Sequence, residues 1–307
     1  MIIRIGWMML LLGLINLAGC NRAPQHGILA TTTLAADLVR SLLPPDVPVE
    51  TLMGPGVDPH TFEARSGSIR QLHTARLIVH HGLHLEGRLA DLIDGLELQT
   101  PNRIHSLATP LIRDHNARLR REGEEVDPHV WFSPSLWRAT VPDLAAALRR
   151  VFPEHAEKIA TREEQLLQSL ANLDSELRAT LSAIPPENRI LVTSHDAFGY
   201  WAADYGFEVH AIQGISTATE VAESTLRELA NLITRTKIPA GFVESSVSPR
   251  TVEKLRQLVG PDRFRIGGEL YSDSLGPPGS PAGTYAGMLR HNANLMVAAL
   301  GTAKHAP

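Results

Sequence analysis

What this 307-residue chain has little of bounds its class. It contains one cysteine, Cys20, so no disulfide can form within the chain. Aromatic residues make up 5%, there is no lysine/arginine tract, and the formal net charge is −4, a balance that argues against a nucleic-acid groove. No apolar run reaches the roughly 20 residues that a membrane-spanning helix needs; the longest, Ile5 to Gly19, has 15. The helical His-Glu-x-x-His of many zinc hydrolases is missing as well. Low complexity is not the theme, since 43% hydrophobic and 20% charged residues describe an ordinary folded protein. Single cores stop growing at about 250–300 residues, so two lobes are expected.

The position of the cysteine is informative. Arg4 precedes the apolar run, and the run ends at Leu17-Ala18-Gly19-Cys20, which resembles a bacterial lipobox. Residues 1–19 then form a signal peptide and Cys20 becomes the lipid-bearing first residue. A plain signal peptide or an uncleaved anchor are the alternatives, and all three export the chain to the periplasm or cell surface. The remainder is expected to be soluble and held at a membrane by its lipid anchor.

Two Asp-Pro-His triplets stand 69 residues apart, Asp58-Pro59-His60 and Asp127-Pro128-His129. Proline fixes its own φ and pushes the preceding residue into extended geometry, so each triplet holds a histidine at the rigid mouth of a loop. One triplet alone would read as a turn with a capping histidine; the repetition argues for ligands. His195, in Ser194-His195-Asp196-Ala197-Phe198-Gly199-Tyr200, and Asp273, in Gly268-Glu269-Leu270-Tyr271-Ser272-Asp273, complete a candidate N,N,N,O set for a divalent metal. The remaining histidines are scattered, and His80, His81 and His84, around a strand end and a turn at Gly82, read as structural.

Between these loops, short apolar runs alternate with helical periods. Strands are expected at Ile28–Thr32, Val47–Met53 and Leu77–His80, and again at Arg189–Thr193, Phe207–Val209, Gly241–Val243 and Phe264–Ile266. This alternation implies α/β architecture with two similar lobes, each a mostly parallel sheet flanked by helices. Residues 20–152 form the first lobe and residues 185–307 the second. Over residues 153–184, Ile159, Leu166, Leu170, Leu173, Leu177, Leu181 and Ile184 keep a helical period without internal glycine or proline. At 1.5 Å per residue, about thirty residues give a linking helix of roughly 45 Å. Arg113 to Glu125 mixes charges without period and reads as a solvated loop. Ligands of open α/β sheets bind beyond the carboxyl ends of the strands, so two candidate ligands from each lobe make the site a cleft.

Taken together, Met53-Gly54-Pro55-Gly56-Val57-Asp58-Pro59-His60, Gly82-Leu83-His84-Leu85-Glu86, Asp127-Pro128-His129-Val130-Trp131, Gly214-Ile215-Ser216-Thr217, Val243-Glu244-Ser245-Ser246 and the segments around His195 and Asp273 resemble the metal-binding lipoproteins of bacterial ABC importers. This is the TroA/ZnuA-like zinc- and manganese-binding solute-binding protein family, and the likeness covers nearly the whole mature chain. It implies the cluster A-I, TroA-like periplasmic binding protein fold, with one long rigid helix between lobes and His60, His129, His195 and Asp273 as ligands. It also implies delivery of Mn²⁺ or Zn²⁺ to a membrane permease by a monomeric receptor that is not an enzyme. Three neutral imidazoles and a carboxylate leave a bound dication one positive charge in excess, which suits later release. Four protein ligands also leave no open position for a catalytic water. The rivals are a secreted zinc hydrolase and a surface adhesin with a structural metal. Zinc-scavenging relatives carry a histidine-rich loop ahead of the second ligand, whereas Arg113 to Glu125 holds only His115; manganese-dedicated ones carry glutamate where this chain has His195. By the Irving–Williams order, imidazole-rich sites favour zinc over manganese in vitro.

Overall fold

The computed structural model describes residues 26–114 and 116–301, so Cys20, the expected signal peptide and His115 lie outside it. In the first half, strands β1 (His26–Ala30), β2 (Val49–Thr51), β3 (Ala75–His80) and β4 (Ile104–Ser106) form one sheet in the order β2-β1-β3-β4. Every pairing in it is parallel. The helices between and after them are α1 (Thr33–Leu42), α2 (Ser66–Thr74), α3 (Arg88–Gln99) and α4 (Thr109–Arg113). Thr32 caps α1, its side-chain oxygen accepting from the Ala35 amide at 3.1 Å, which lets the chain pass from strand to helix without an orphan donor.

The expected solvated loop carries a small antiparallel hairpin, β5 (Arg121–Glu122) and β6 (Glu125–Val126), its turn made by Gly123 at φ 61°. Its strands are two residues long and mostly exposed, too short for a two-residue period to show in sequence. Ser133 then caps α5 (Pro134–Val151), with proline at the first helical position.

The long helix is α6, Ala156–Leu181, 26 residues or roughly 39 Å. It is shorter than the period suggests at both ends. Pro153–His155 forms a 3₁₀ turn before it, and Ile184, which stands before Pro185, is disfavoured in the α region. Ile159, Leu170, Leu173, Leu177 and Leu181 are buried along its stripe, against α5, α1 and the last helix, α10.

The second half repeats the first. Strands β7 (Ile190–His195), β8 (Glu208–Gln213), β9 (Ala240–Glu244) and β10 (Arg265–Leu270) form two parallel pairs, β7 with β8 and β9 with β10. The inner strands β7 and β9 lie side by side, giving the order β8-β7-β9-β10, the same as in the first sheet. Helices α7 (Gly199–Tyr205), α8 (Glu223–Thr236), α9 (Arg250–Val259) and α10 (Tyr285–Leu300) complete it. One cluster of buried apolar side chains extends from Ile28 through α6 to Leu300, and each lobe adds a smaller satellite core. No helix among the described residues is long and apolar enough to cross a membrane.

Candidate metal centre

All four expected ligands come together at the carboxyl ends of the two sheets. His60 lies in the loop after β2, His129 in the turn after the hairpin, His195 is the last residue of β7, and Asp273 follows β10 by three residues. One ligand atom from each lies within 4.8 Å of all the others, the one such group of three or more among the described residues. His129 and His195 are fully buried, with Asp273 1% and His60 7% exposed.

The two Asp-Pro-His triplets act alike on the backbone and differently on the ring. Each aspartate turns back so that Oδ1 accepts the amide N–H of its own histidine, at 2.9 Å in both cases. Asp127 Oδ1 also lies 2.8 Å from Nδ1 of His129, which fixes that ring with Nε2 pointing inward. Asp58 instead turns Oδ2 toward the Thr61 and Thr217 hydroxyls, which donate at 3.0 and 2.6 Å, the second from across the cleft. Glu244 sits behind His195: Oε1 accepts the His195 amide N–H at 2.9 Å, and Oε2 lies 2.6 Å from Nδ1 of the ring, a close charge contact without the hydrogen-bond alignment that Asp127 makes to His129. Asp273 spends Oδ2 on the Ser246 hydroxyl, which donates at 2.7 Å.

The atoms left over face one another. His60 Nε2 and Asp273 Oδ1 are buried without a hydrogen-bond partner. Nε2 of His129 and of His195 are 3.2 Å apart, and Asp273 Oδ1 is 3.5 and 3.4 Å from them. A tetrahedral zinc site with bonds of about 2.0–2.2 Å has ligand–ligand edges of about 3.3–3.5 Å. Three of the four atoms therefore lie at coordination spacing, and the ligand atom of His60 lies within 4.8 Å of each of them. Zinc and other borderline divalent ions suit this donor chemistry.

The neighbouring charges and burial shift the four candidate ligands in different directions. Burial opposes a proton on His195, but Glu244 and Asp273 outweigh it and hold the ring well above its usual pKa. His129 is raised in the same way, burial being overcome by Asp127 and Asp273. Asp273, despite burial, is held well below the usual carboxylate range by the two histidines. His60 goes the other way, pushed down to about 3, chiefly by burial.

Behind the ligands, Glu86 is buried and accepts the His81 amide at 2.6 Å and the Thr31 hydroxyl at 2.8 Å. The His81 ring nitrogen Nε2 lies 2.6 Å from the Pro128 carbonyl, which can only accept, so Nε2 carries the proton. His81 thus braces the second triplet from the turn that the Gly82-Leu83-His84-Leu85-Glu86 segment makes. The roles of Asp127, Glu244 and Glu86 were not legible as such in the sequence. The available signal was an ionisable residue closing a buried apolar run, as Glu244 does after Ala240-Gly241-Phe242-Val243.

The fold and the convergent site define an α/β, two-lobed periplasmic binding protein of the metal-binding kind. Residues 28–299 match the family described as ZnuA, Zinc-uptake complex component A periplasmic, and the chain belongs to that family. It is 38% identical to the zinc-binding protein TroA of Treponema pallidum, covering 95% of each chain. It is 37% identical to the manganese-binding lipoprotein MntA of Bacillus subtilis, covering 92% of each. The solved structure of the Treponema protein superposes with a TM-score of 0.85 over 90% of this chain and 99% of that one. A manganese-bound point mutant of a periplasmic metal-binding protein from Candidatus Liberibacter asiaticus, 26% identical, gives 0.75 over 89% and 99%.

Proposed function

We propose that this protein is the extracytoplasmic metal receptor of an ABC importer, taking a divalent transition-metal ion, Zn²⁺ or Mn²⁺, into the interlobe cleft on His60, His129, His195 and Asp273 and delivering it to a membrane permease. One observation carries the reading: four buried ligand atoms, two from each lobe, converge within 4.8 Å, and two of them lack any other partner. The ion is cargo. The reading of binding without catalysis is supported by four candidate protein donors and by the engagement of Asp127 and Glu244 with the rings behind the site, which occupies both carboxylates.

The same reading includes a signal peptide over residues 1–19, lipid attachment at Cys20, a lobe at 20–152, a linking helix at 153–184, a lobe at 185–307, and a monomer tethered in the periplasm or at the cell surface. Elemental analysis of protein purified without added metal, followed by competition titration, tests the central claim. One equivalent of zinc or manganese is expected, with Zn²⁺ the tighter in vitro because the donor set is imidazole-rich. Protein that purifies empty and takes up neither ion would overturn it.

A further inference from the structure

A cavity of about 620 Å³ adjoins the four-ligand centre, with His60 in the wall between them. It lies at the carboxyl ends of β3 and β4, bounded by α3, α4 and the β5–β6 hairpin. Inside it is His80, the last residue of β3, 5% exposed, with neither ring nitrogen hydrogen-bonded. A buried imidazole that satisfies neither nitrogen requires a ligand or ordered water to explain it. Around the mouth stand Asp94 and Glu97 from α3, Glu124 and Glu125 from the hairpin, and His84. The four carboxylates are exposed, and none is in an ion pair among the described residues. No lysine or arginine lines the cavity. A concave site walled by one sign of charge concentrates counter-ions at its mouth.

We propose that this cavity is a second, weaker capture site for a divalent transition-metal ion, in which the carboxylate rim draws in the hydrated cation and His80 holds it before transfer to His60. The proposal rests on the receptor reading above. It is weaker because no three donors here converge as they do at the main centre, so the ion keeps most of its water. The order of donors also fits an entry route: carboxylates outside, one imidazole within, then His60 with its own unpartnered Nε2.

Stopped-flow loading of the full chain with Zn²⁺ alone tests this, read by the change in tryptophan fluorescence, to which Trp131 contributes with its ring 5.1 Å from that of His129. Two variants are compared with the wild type: His80→Phe, which removes both nitrogens, and the exposed pair Asp94→Asn with Glu97→Gln, which leaves the buried interior untouched. Each is expected to slow loading at low ionic strength by about tenfold or more, with the affinity of the first equivalent unchanged, since a shared route slows entry and exit alike. The wild type should also bind a second, weaker equivalent of Zn²⁺ that His80→Phe lacks. If the wild type binds one equivalent tightly while both variants load at its rate, or while Asp94→Asn with Glu97→Gln does so and His80→Phe does not fold, the cavity holds water only and the proposal falls with the receptor reading intact. If the wild type binds no zinc at all, the receptor reading fails.

Discussion

Carboxylates back two of the three candidate imidazoles, Asp127 behind His129 and Glu244 behind His195, and His60 makes no such contact among the described residues. Asp273 is the only anion in the set, and its role separates a four-ligand receptor from a three-histidine site. Removing a partner behind a ligand typically costs about 10–100-fold in metal affinity, so Asp273→Ala should cost more than Asp127→Asn. The loss should be greater for Mn²⁺, which depends on oxygen donors, than for Zn²⁺, which retains three imidazoles. Competition titration of both variants checks this; unchanged affinities for Asp273→Ala would remove it from the site. The pH dependence follows from the raised histidines. In the metal-free fold, His195 and His129 hold protons above the ordinary histidine pKa, and an ion must displace them. Binding should therefore release protons at neutral pH, and affinity should fall as pH falls through these raised values. His60, at about 3, adds no competition between about pH 5 and 8. For the metal-free protein the sign is opposite. A raised histidine contributes stability below its unfolded pKa and loses it as pH rises through the folded one, so the melting-temperature gain on adding metal should widen with pH. The candidate ligands His60 and His129 were legible because proline rigidity and a repeated triplet mark them in one dimension. Their supports were not, because Asp58 and Asp127 occupy identical local patterns and only the third dimension sends Asp127 to the ring and Asp58 across the cleft to Thr217.

Helix α6 is the element most fully legible in the sequence, because an apolar stripe at helical spacing with no glycine or proline has one economical reading. Its buried leucines are those the period picks out. Its ends were less legible, since a 3₁₀ turn at Pro153 and the unwinding before Pro185 depend on local geometry. Likewise, the strands were placed by their apolar runs, but the matching orders of the two sheets could not be read from them. Strand order depends on contacts far apart in sequence, such as β7 against β9. Leu173 is 2% exposed at the middle of the α6 stripe and belongs to the core that both lobes share. Leu173→Ala should then destabilise the fold by about 2–5 kcal/mol through lost burial and a residual cavity. Thermal melts of the metal-free protein measure it, and metal affinity well below the melting temperature should stay at its wild-type value, because Leu173 touches no candidate ligand. A loss below about 1 kcal/mol would show that the helix is less tightly packed than its burial implies.

At the scale of the whole molecule, the central question is how far the lobes move when an ion enters. Receptors whose lobes are joined by flexible strands close by a large hinge rotation. Here the connection is a helix of 26 residues without internal glycine or proline, packed on α1 and α5 of one lobe and α10 of the other. The lobes are also joined directly. Leu275 N–H donates to Thr33 Oγ1 at 2.8 Å, Gly56 N–H to Ser274 Oγ at 2.9 Å, and Trp131 Nε1–H to the Ser272 carbonyl at 2.9 Å. The Tyr285 hydroxyl donates to the Trp131 carbonyl at 2.7 Å. A hinge rotation would have to break these bonds and expose part of a core that runs continuously from Ile28 to Leu300. Coordination asks for far less. Three ligand atoms are already 3.2–3.5 Å apart. His60 stands no more than 4.8 Å from any of them, so an inward shift on the order of 1 Å brings it to tetrahedral spacing. Small-angle scattering profiles of metal-free and loaded protein should therefore superimpose, while nuclear magnetic resonance shifts on loading should concentrate in the His60 loop and its partner loop at Thr217. A marked fall in radius of gyration on loading would show that the helix bends or the lobes slide, and the rigid-spine account would have to be abandoned.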